Sequence, residues 1–228
     1  MSLTTAEHDI LVKYLKDVGI KHQEPFEEFY DHIATGFEKS HVFDLDTYIG
    51  NVSEPAFGGT KGMLKIVNEQ NKIRKSMIWK RAKEIFIGLF GWPAIGFVMA
   101  SFILVQFGSQ LFGQKFIIVF SLGIGLVTPL FVAGYGCMTF YRQCRKQKLP
   151  YTSSNLNAWL IFFISFPISF VNLGVNGVIP HIIGRETFKT FLSAYPVVTI
   201  CLSTLVLLFG FTCLKLFKEN FTFKLELK

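Results

Sequence analysis

Half of the 228 residues are hydrophobic and 16% are aromatic, including 26 phenylalanines, a composition typical of a membrane protein. The formal charge of +7 is unevenly divided: residues 1–60 carry four basic and eleven acidic side chains, whereas residues 61–228 carry nineteen basic and five acidic. An N-terminal segment this acidic lacks the basic face that neutralises phosphates, which excludes direct nucleic-acid binding by that segment.

Residues 1–60 predict an acidic helical head. Thr4 and Glu7 have the spacing of a capping box, at the start of a helix that Gly19 ends. A second helix is predicted to open at Pro25, and a short third helix to be capped by Asp44. Apolar residues recur at helical spacing in these segments, so we expect them to share one core. The predicted core residues are Leu11, Leu15, Phe29, Ile33, Tyr48 and Ile49.

Residues 61–84 predict a basic helical neck that follows the break at Gly58 and Gly59. Anionic lipid attracts each basic residue near the membrane surface by about 1 kcal/mol, so this neck is predicted to face the inner leaflet. The same charges also act as a signal that retains this end in the cytoplasm. The predicted lipid-facing residues are Lys72, Arg74, Lys75, Lys80, Arg81 and Lys83.

Four apolar stretches without Asp, Glu, Lys or Arg follow the neck, at residues 85–107, 116–141, 158–183 and 194–214. A helix rises about 1.5 Å per residue and the hydrocarbon core is about 30 Å thick, so each stretch is long enough to cross a bilayer. The sequence therefore predicts an all-α protein. A small cytoplasmic helical head precedes a four-helix transmembrane bundle over residues 85–214, and residues 215–228 form a tail.

Lysine and arginine in the short connections predict the orientation of the spans. Sixteen basic residues lie before the first span, between the second and third spans, and in the tail. The other two connections carry only three. Both termini and the middle connection are therefore predicted to be cytoplasmic in a multi-pass protein of the cell inner membrane.

The head and neck carry two motifs, an EFYDHIATGFE segment and an AFGGTKGMLKI segment. Over residues 3–83 the chain resembles bacterial multi-pass membrane proteins of uncharacterised activity that start with a DHI-type helical head. Their heads are similar to the signalling-type helical domain associated with PadR-like transcription regulators. The resemblance implies an architecture and no reaction. The matching residues are Glu28, Asp31, His32, Ile33, Glu38, Phe57, Gly58, Gly62, Met63, Leu64 and Ile66.

Asp31 and His32 are the most recognisable polar pair in the head. Imidazole titrates near neutrality, so the pair could form a pH-sensitive or metal-binding point. Alternatively, both side chains hydrogen-bond to a neighbouring helix and fix the packing of the head. Together with Glu28 they are the candidate docking or packing residues of the head.

Asn172 and Asn176 lie four residues apart in the third span and so share one face of a helix. Such a pair predicts either an interhelical hydrogen-bonding seam or a polar strip along a substrate pathway. Only the second interpretation requires a substrate, because a seam contributes to packing alone.

The sequence contains none of the common catalytic or nucleotide-binding motifs, and none of its four cysteines forms a CxxC pair. No catalytic residue, cofactor site or metal site is predicted, and we expect no enzyme. The leading hypothesis is a membrane-anchored signalling protein whose head docks a soluble partner, possibly a transcription regulator. The alternative is a small permease or the membrane subunit of a transporter, with an ATPase subunit as its partner. In either case we expect a homodimer or hetero-oligomer in contact with anionic lipid.

Overall fold

The computed structural model describes residues 3–40, 42–173, 178–182 and 184–220, and every regular element within them is helical. The chain divides into two compact units. Among the described residues, the head unit contains those within 3–76 and 137–158, and the apolar unit contains those within 77–136 and 159–220. The all-α fold class is therefore confirmed for the described part of the chain.

The head unit begins with α1 (Thr5–Val18) and α2 (Gln23–Lys39). A short α3 (Leu45–Tyr48), a π-helical turn (Ile49–Ser53) and α4 (Glu54–Ala56) follow. The capping box of Thr4 and Glu7 is present, and Gly19 ends α1 with φ = +94°. Asp44 caps α3 by accepting a hydrogen bond from the Thr47 N–H at 2.9 Å. These local predictions are confirmed.

The six predicted core residues of the head are all buried in one cluster. Phe26 of α2 and Met63, which lies in the long helix after α4, belong to the same cluster. Phe140, Cys144 and Tyr151 also belong to it, although they lie about 100 residues further along the chain. The sequence predicted a head over residues 1–60, whereas its core also includes residues from these later positions.

The neck is part of α5 (Gly59–Gly88), which starts after two glycines with positive φ, Gly58 and Gly59. The predicted first span, residues 85–107, is not one helix. It is interrupted after Gly88, and α6 (Ile95–Phe112) begins seven residues later. Pro93 lies within the interruption, where its ring removes a backbone donor and disfavours helix in the residue before it.

The apolar unit contains most of three helices that are long and apolar enough to cross a membrane. These are Ile95–Phe112, Gln114–Lys146 and Pro196–Glu219. The middle one consists of α7 (Gln114–Leu122), a π-helical turn (Gly123–Val127) and α8 (Thr128–Lys146). The last is α12 (Pro196–Asn220), which packs against α6, α7 and the π-helical turn. Large apolar side chains point outward on these helices, which is compatible with a lipid environment.

The predicted third span begins as α9 (Asn155–Asn172), three residues earlier than expected. Residues 174–177 and 183 of that span lie outside the described residues. Two shorter helices, α10 (Ile179–Ile182) and α11 (Arg185–Ala194), precede α12.

Candidate functional site

A polar junction in the head unit centres on Glu24, in the first turn of α2. Its carboxylate accepts a hydrogen bond from the Ser154 hydroxyl at 2.6 Å. It also accepts the backbone N–H groups of Asn155 at 2.8 Å and Leu156 at 3.1 Å. These are the first two residues of α9, so a side chain from α2 caps a helix that begins 131 residues later.

The first turn of α9 requires such a partner because it is buried. The opening N–H groups of a helix have no acceptor within the helix, and buried donors are almost always paired. Ser154 and Asn155 are each only 3% exposed, which leaves little access for water. The Ser154 Oγ accepts the Asn157 N–H at 3.4 Å, and Glu24 supplies the acceptors for the two preceding donors. A carboxylate also suits the partial positive charge of a helix N-terminus.

The surroundings of Glu24 favour its ionised form. Burial raises the pKa of this carboxyl, but the hydrogen bonds from Ser154, Asn155 and Leu156 outweigh burial and hold the pKa below its ordinary value. The Arg74 guanidinium approaches the same carboxylate at 3.7 Å from α5. The ionised Glu24 carboxylate therefore caps α9, and the Arg74 cation lies beside it.

Further bonds fasten α2 to the segment before α9. The Gln23 N–H donates to the Ser153 carbonyl at 2.9 Å, and the His22 ring lies 3.0 Å from the Ser153 hydroxyl. The Tyr151 hydroxyl donates to the Glu27 carboxylate at 2.6 Å, and its ring packs edge-on against Phe26. The pKa of the Tyr151 hydroxyl lies above its ordinary value. Burial is the larger cause and the Glu27 carboxylate is the next.

Helix α5 contributes the third side of the junction. The Asn155 side-chain amide donates to the Asn71 side-chain oxygen. The Gln70 amide donates to the Glu28 carboxylate at 2.7 Å. Residues 22–28, 70–74 and 151–157 therefore form one hydrogen-bonded assembly, which we call the Glu24 junction.

The three candidate residues of the head have different surroundings. Glu28 belongs to the Glu24 junction through Gln70. Asp31 and His32 are exposed, and the His32 ring lies edge-on to Phe57 with 6.2 Å between ring centroids. Among the described residues neither forms the hydrogen bond to a neighbouring helix that we expected. The packing of His32 is aromatic instead.

The basic neck is divided between two kinds of side chain. Lys72, Lys75, Lys80 and Lys83 are exposed, as a lipid-facing role requires. The arginines differ, because Arg74 lies beside Glu24 and Arg81 forms a two-point ion pair with Glu219, at 2.8 and 3.0 Å. Arg81 also donates to Glu84 at 3.1 Å, and these carboxylates raise the pKa of its guanidinium. Both arginines are thus engaged by carboxylates of the chain itself.

The predicted strip of Asn172 and Asn176 lies outside what the structure describes: Asn172 is the last residue of α9 with its side chain undescribed, and Asn176 is not described at all.

A close helix contact that was not predicted from the sequence lies between Gly125 and Gly210. A Cβ added to Gly210 would lie 2.5 Å from both the Cα and the carbonyl oxygen of Gly125. Direct backbone contact of this kind is typical of helices packed in a membrane. Glycines within apolar stretches were the signal that could have revealed it.

The described residues include no group of three or more His, Cys, Asp or Glu side chains placed to hold a metal ion. A shallow depression on the head is lined by Tyr30, Glu38 and His8, whose ring lies 2.7 Å from the Tyr30 hydroxyl. The depression lacks a charged cluster or an enclosed volume that would define a ligand.

No protein-family model matches this chain, and neither a curated protein nor a solved structure matches it. The resemblance to bacterial membrane proteins with a DHI-type head therefore stays a prediction.

Proposed function

We propose that the protein is a multi-pass membrane signalling protein whose acidic head docks a soluble regulatory partner. Four transmembrane crossings, with both termini and the middle connection in the cytoplasm, complete the proposed topology. Three long apolar helices and the distribution of sixteen against three basic residues support it. The proposal assigns the protein no catalytic role and places it in the cell inner membrane.

One observation carries the proposal: the head has its own buried core and keeps most of its acidic residues on the surface. A domain that only anchored the chain would need neither. The exposed acidic side chains, apart from those used in helix caps or in the Glu24 junction, complement a basic partner surface. They are Asp9, Asp17, Asp31, Glu38 and Asp46.

Phe43 is the best candidate for an anchor within this acidic surface. Its side chain is fully exposed in the connection between α2 and α3, and acidic residues follow it at positions 44 and 46. Aromatic side chains that fill a partner pocket dominate the energy of many interfaces. We therefore propose a partner with an apolar pocket rimmed by Lys or Arg, such as a transcription regulator.

A photo-crosslinking experiment tests this assignment. A photoreactive amino acid at Val52, which is exposed in the π-helical turn after α3, should capture a soluble protein in native membranes. Combining Phe43→Ser with Asp46→Asn should abolish the adduct, whereas Lys13→Ala on α1 should leave it intact. Capture that is equal in all three proteins, or absent from the wild-type head, contradicts the docking proposal.

A transport role is the second proposal, and the π-helical turn Gly123–Val127 favours it. Single π-helical turns within α-helices are frequent at functional sites, and this one lies against α12 in the apolar unit. A dimer, or an ATPase subunit as partner, would then complete a pathway that includes Asn172 and Asn176. Replacing both asparagines by Leu should abolish solute uptake into proteoliposomes without loss of assembly. Loss of assembly instead favours the packing seam.

A further inference from the structure

We infer that the head sets where α9 begins, and that Glu24 is the positioning residue through which it does so. This inference rests on the proposed signalling function, to which it adds the step that carries a change from the head into a helix of the apolar unit. Helix α9 is suited to this step because it starts in the head unit and continues past residue 159 into the apolar unit.

The hydrogen bonds of the first turn of α9 support the inference. The N–H groups of Asn157 and Ala158 bond to Ser154, through its hydroxyl and its carbonyl oxygen. The N–H groups of Asn155 and Leu156 bond to the Glu24 carboxylate. Half of the first turn therefore depends on α2. If α2 withdraws, two N–H donors lose their acceptors, one of them on the buried Asn155, and the first turn of the helix has to unwind for these donors to bond to water.

The contacts around Glu24 make its withdrawal a concerted event. The Gln23 N–H and the Ser153 carbonyl are paired, and Tyr151 holds Glu27 one turn further along α2. The start of α2 and the segment before α9 are thus joined at three successive points. A displacement of α2 cannot leave Glu24 in place, since Glu24 lies between the other two.

Helix α5 gives the same position a second attachment. Arg74 faces the Glu24 carboxylate, and Asn71 accepts a hydrogen bond from the Asn155 side chain. Loss of Glu24 from the junction leaves Arg74 beside the positive end of α9, an arrangement that repels. The closed junction and a released α2 are therefore two distinct arrangements, and a partner bound to the head selects between them by its differential affinity.

Hydrogen–deuterium exchange on the full-length protein in nanodiscs, without any partner, tests the inference. Glu24→Ala should accelerate exchange of the Asn155 and Leu156 amides at least tenfold. The matched control is Glu38→Gln, which removes an exposed carboxylate from the same helix but outside the Glu24 junction. Exchange at Leu11 and Leu15 should not change in either variant, which shows that the head remains folded.

The coupling should be reciprocal, because a free energy shared by two sites acts in both directions. Ser154→Ala, at the start of α9, should therefore accelerate exchange of the Gln23 amide in α2. If Glu24→Ala unfolds the head, Glu24→Gln keeps the size of the side chain but replaces one of its two acceptor oxygens by an NH2 group, so exchange of at least one of the Asn155 and Leu156 amides should accelerate. Unchanged exchange at those two amides in a folded Glu24 variant overturns the inference. Because no partner is present, this result is independent of whether capture at the head succeeds or fails.

Discussion

The head unit and the apolar unit are held together by opposite means. The head buries large side chains such as Phe26 and Phe29 and carries its charges outward, so removal of apolar surface from water stabilises it. The apolar unit presents Leu104, Leu111 and Phe131 outward at 72%, 76% and 75% exposure, and lipid tails are as apolar as these side chains. It depends instead on close backbone approach. The stability of the head should therefore fall most when a buried side chain is made smaller. The stability of the apolar unit should fall most when a side chain is added at a backbone contact.

The largest expected effect is the loss of volume in the head. Phe29→Ala should cost about 3–5 kcal/mol, most of what a unit this small possesses, because the ring is buried against Phe57. Native-state hydrogen exchange of the α1 amides in the full-length protein measures the free energy of opening. Phe43→Ala removes the same ring from a fully exposed site and should change little. Equal effects of the two substitutions would show that Phe29 is not part of the core.

A larger side chain at a backbone contact tests the apolar unit. Gly210→Val should cost about 1–3 kcal/mol, because the new side chain would have to displace the backbone of Gly125. Thermal unfolding of the protein in detergent micelles measures the loss. Gly134→Val is the matched control, since a Cβ at Gly134 meets nothing within 4 Å. A stable Gly210→Val protein would show that these two helices do not depend on backbone contact.

The Glu24 junction is an exception to this contrast, because it is a partly buried polar contact inside the unit that otherwise depends on apolar burial. The pKa of Glu24 is lowered in the folded head, so its contribution is complete above the ordinary value of 4.5 and is lost as pH falls through the folded value. Hydrogen bonds to a charged group contribute about 1.5–3 kcal/mol, which is the loss expected for Glu24→Gln at pH 7.

Measured opening free energies at a series of pH values check this expectation. The difference between wild type and Glu24→Gln should shrink as the pH is lowered below 4.5 and remain constant above it. A difference that grows on acidification would mean that Glu24 is not ionised in the folded head.

The sequence predicted what depends on local spacing. The capping box, the Gly19 stop and the six core residues follow from helical periodicity within 60 residues, and all are present. Burial of Phe140 in the head could not be predicted in the same way. An apolar residue at the end of a long apolar stretch has the same hydropathy whether its neighbour is lipid or another helix of the protein.

The Glu24 junction was missed for a different physical reason. Glu24 is one of eleven acidic residues within residues 1–60, and most such residues are solvated. Its partners are mainly backbone N–H groups, which every residue type except proline carries, so no pattern of side chains marks them. Hydropathy could not predict the interruption of the first span near Pro93 either, because hydropathy measures apolar character and not the continuity of a helix.

The smallest expected effect concerns the ion pair of Arg81 with Glu219, which joins α5 to the end of α12 within the apolar unit. The two-point geometry favours arginine over lysine, but the guanidinium is exposed and exposed pairs are screened by salt. Arg81→Lys should lower the thermal stability in micelles slightly at low salt and not at 1 M NaCl. Lys80→Gln, at an exposed neighbour in the same helix, is the control and should have no effect at either concentration. A large loss that persists in high salt would mean that the apolar unit, like the head, depends on a polar contact shielded from solvent.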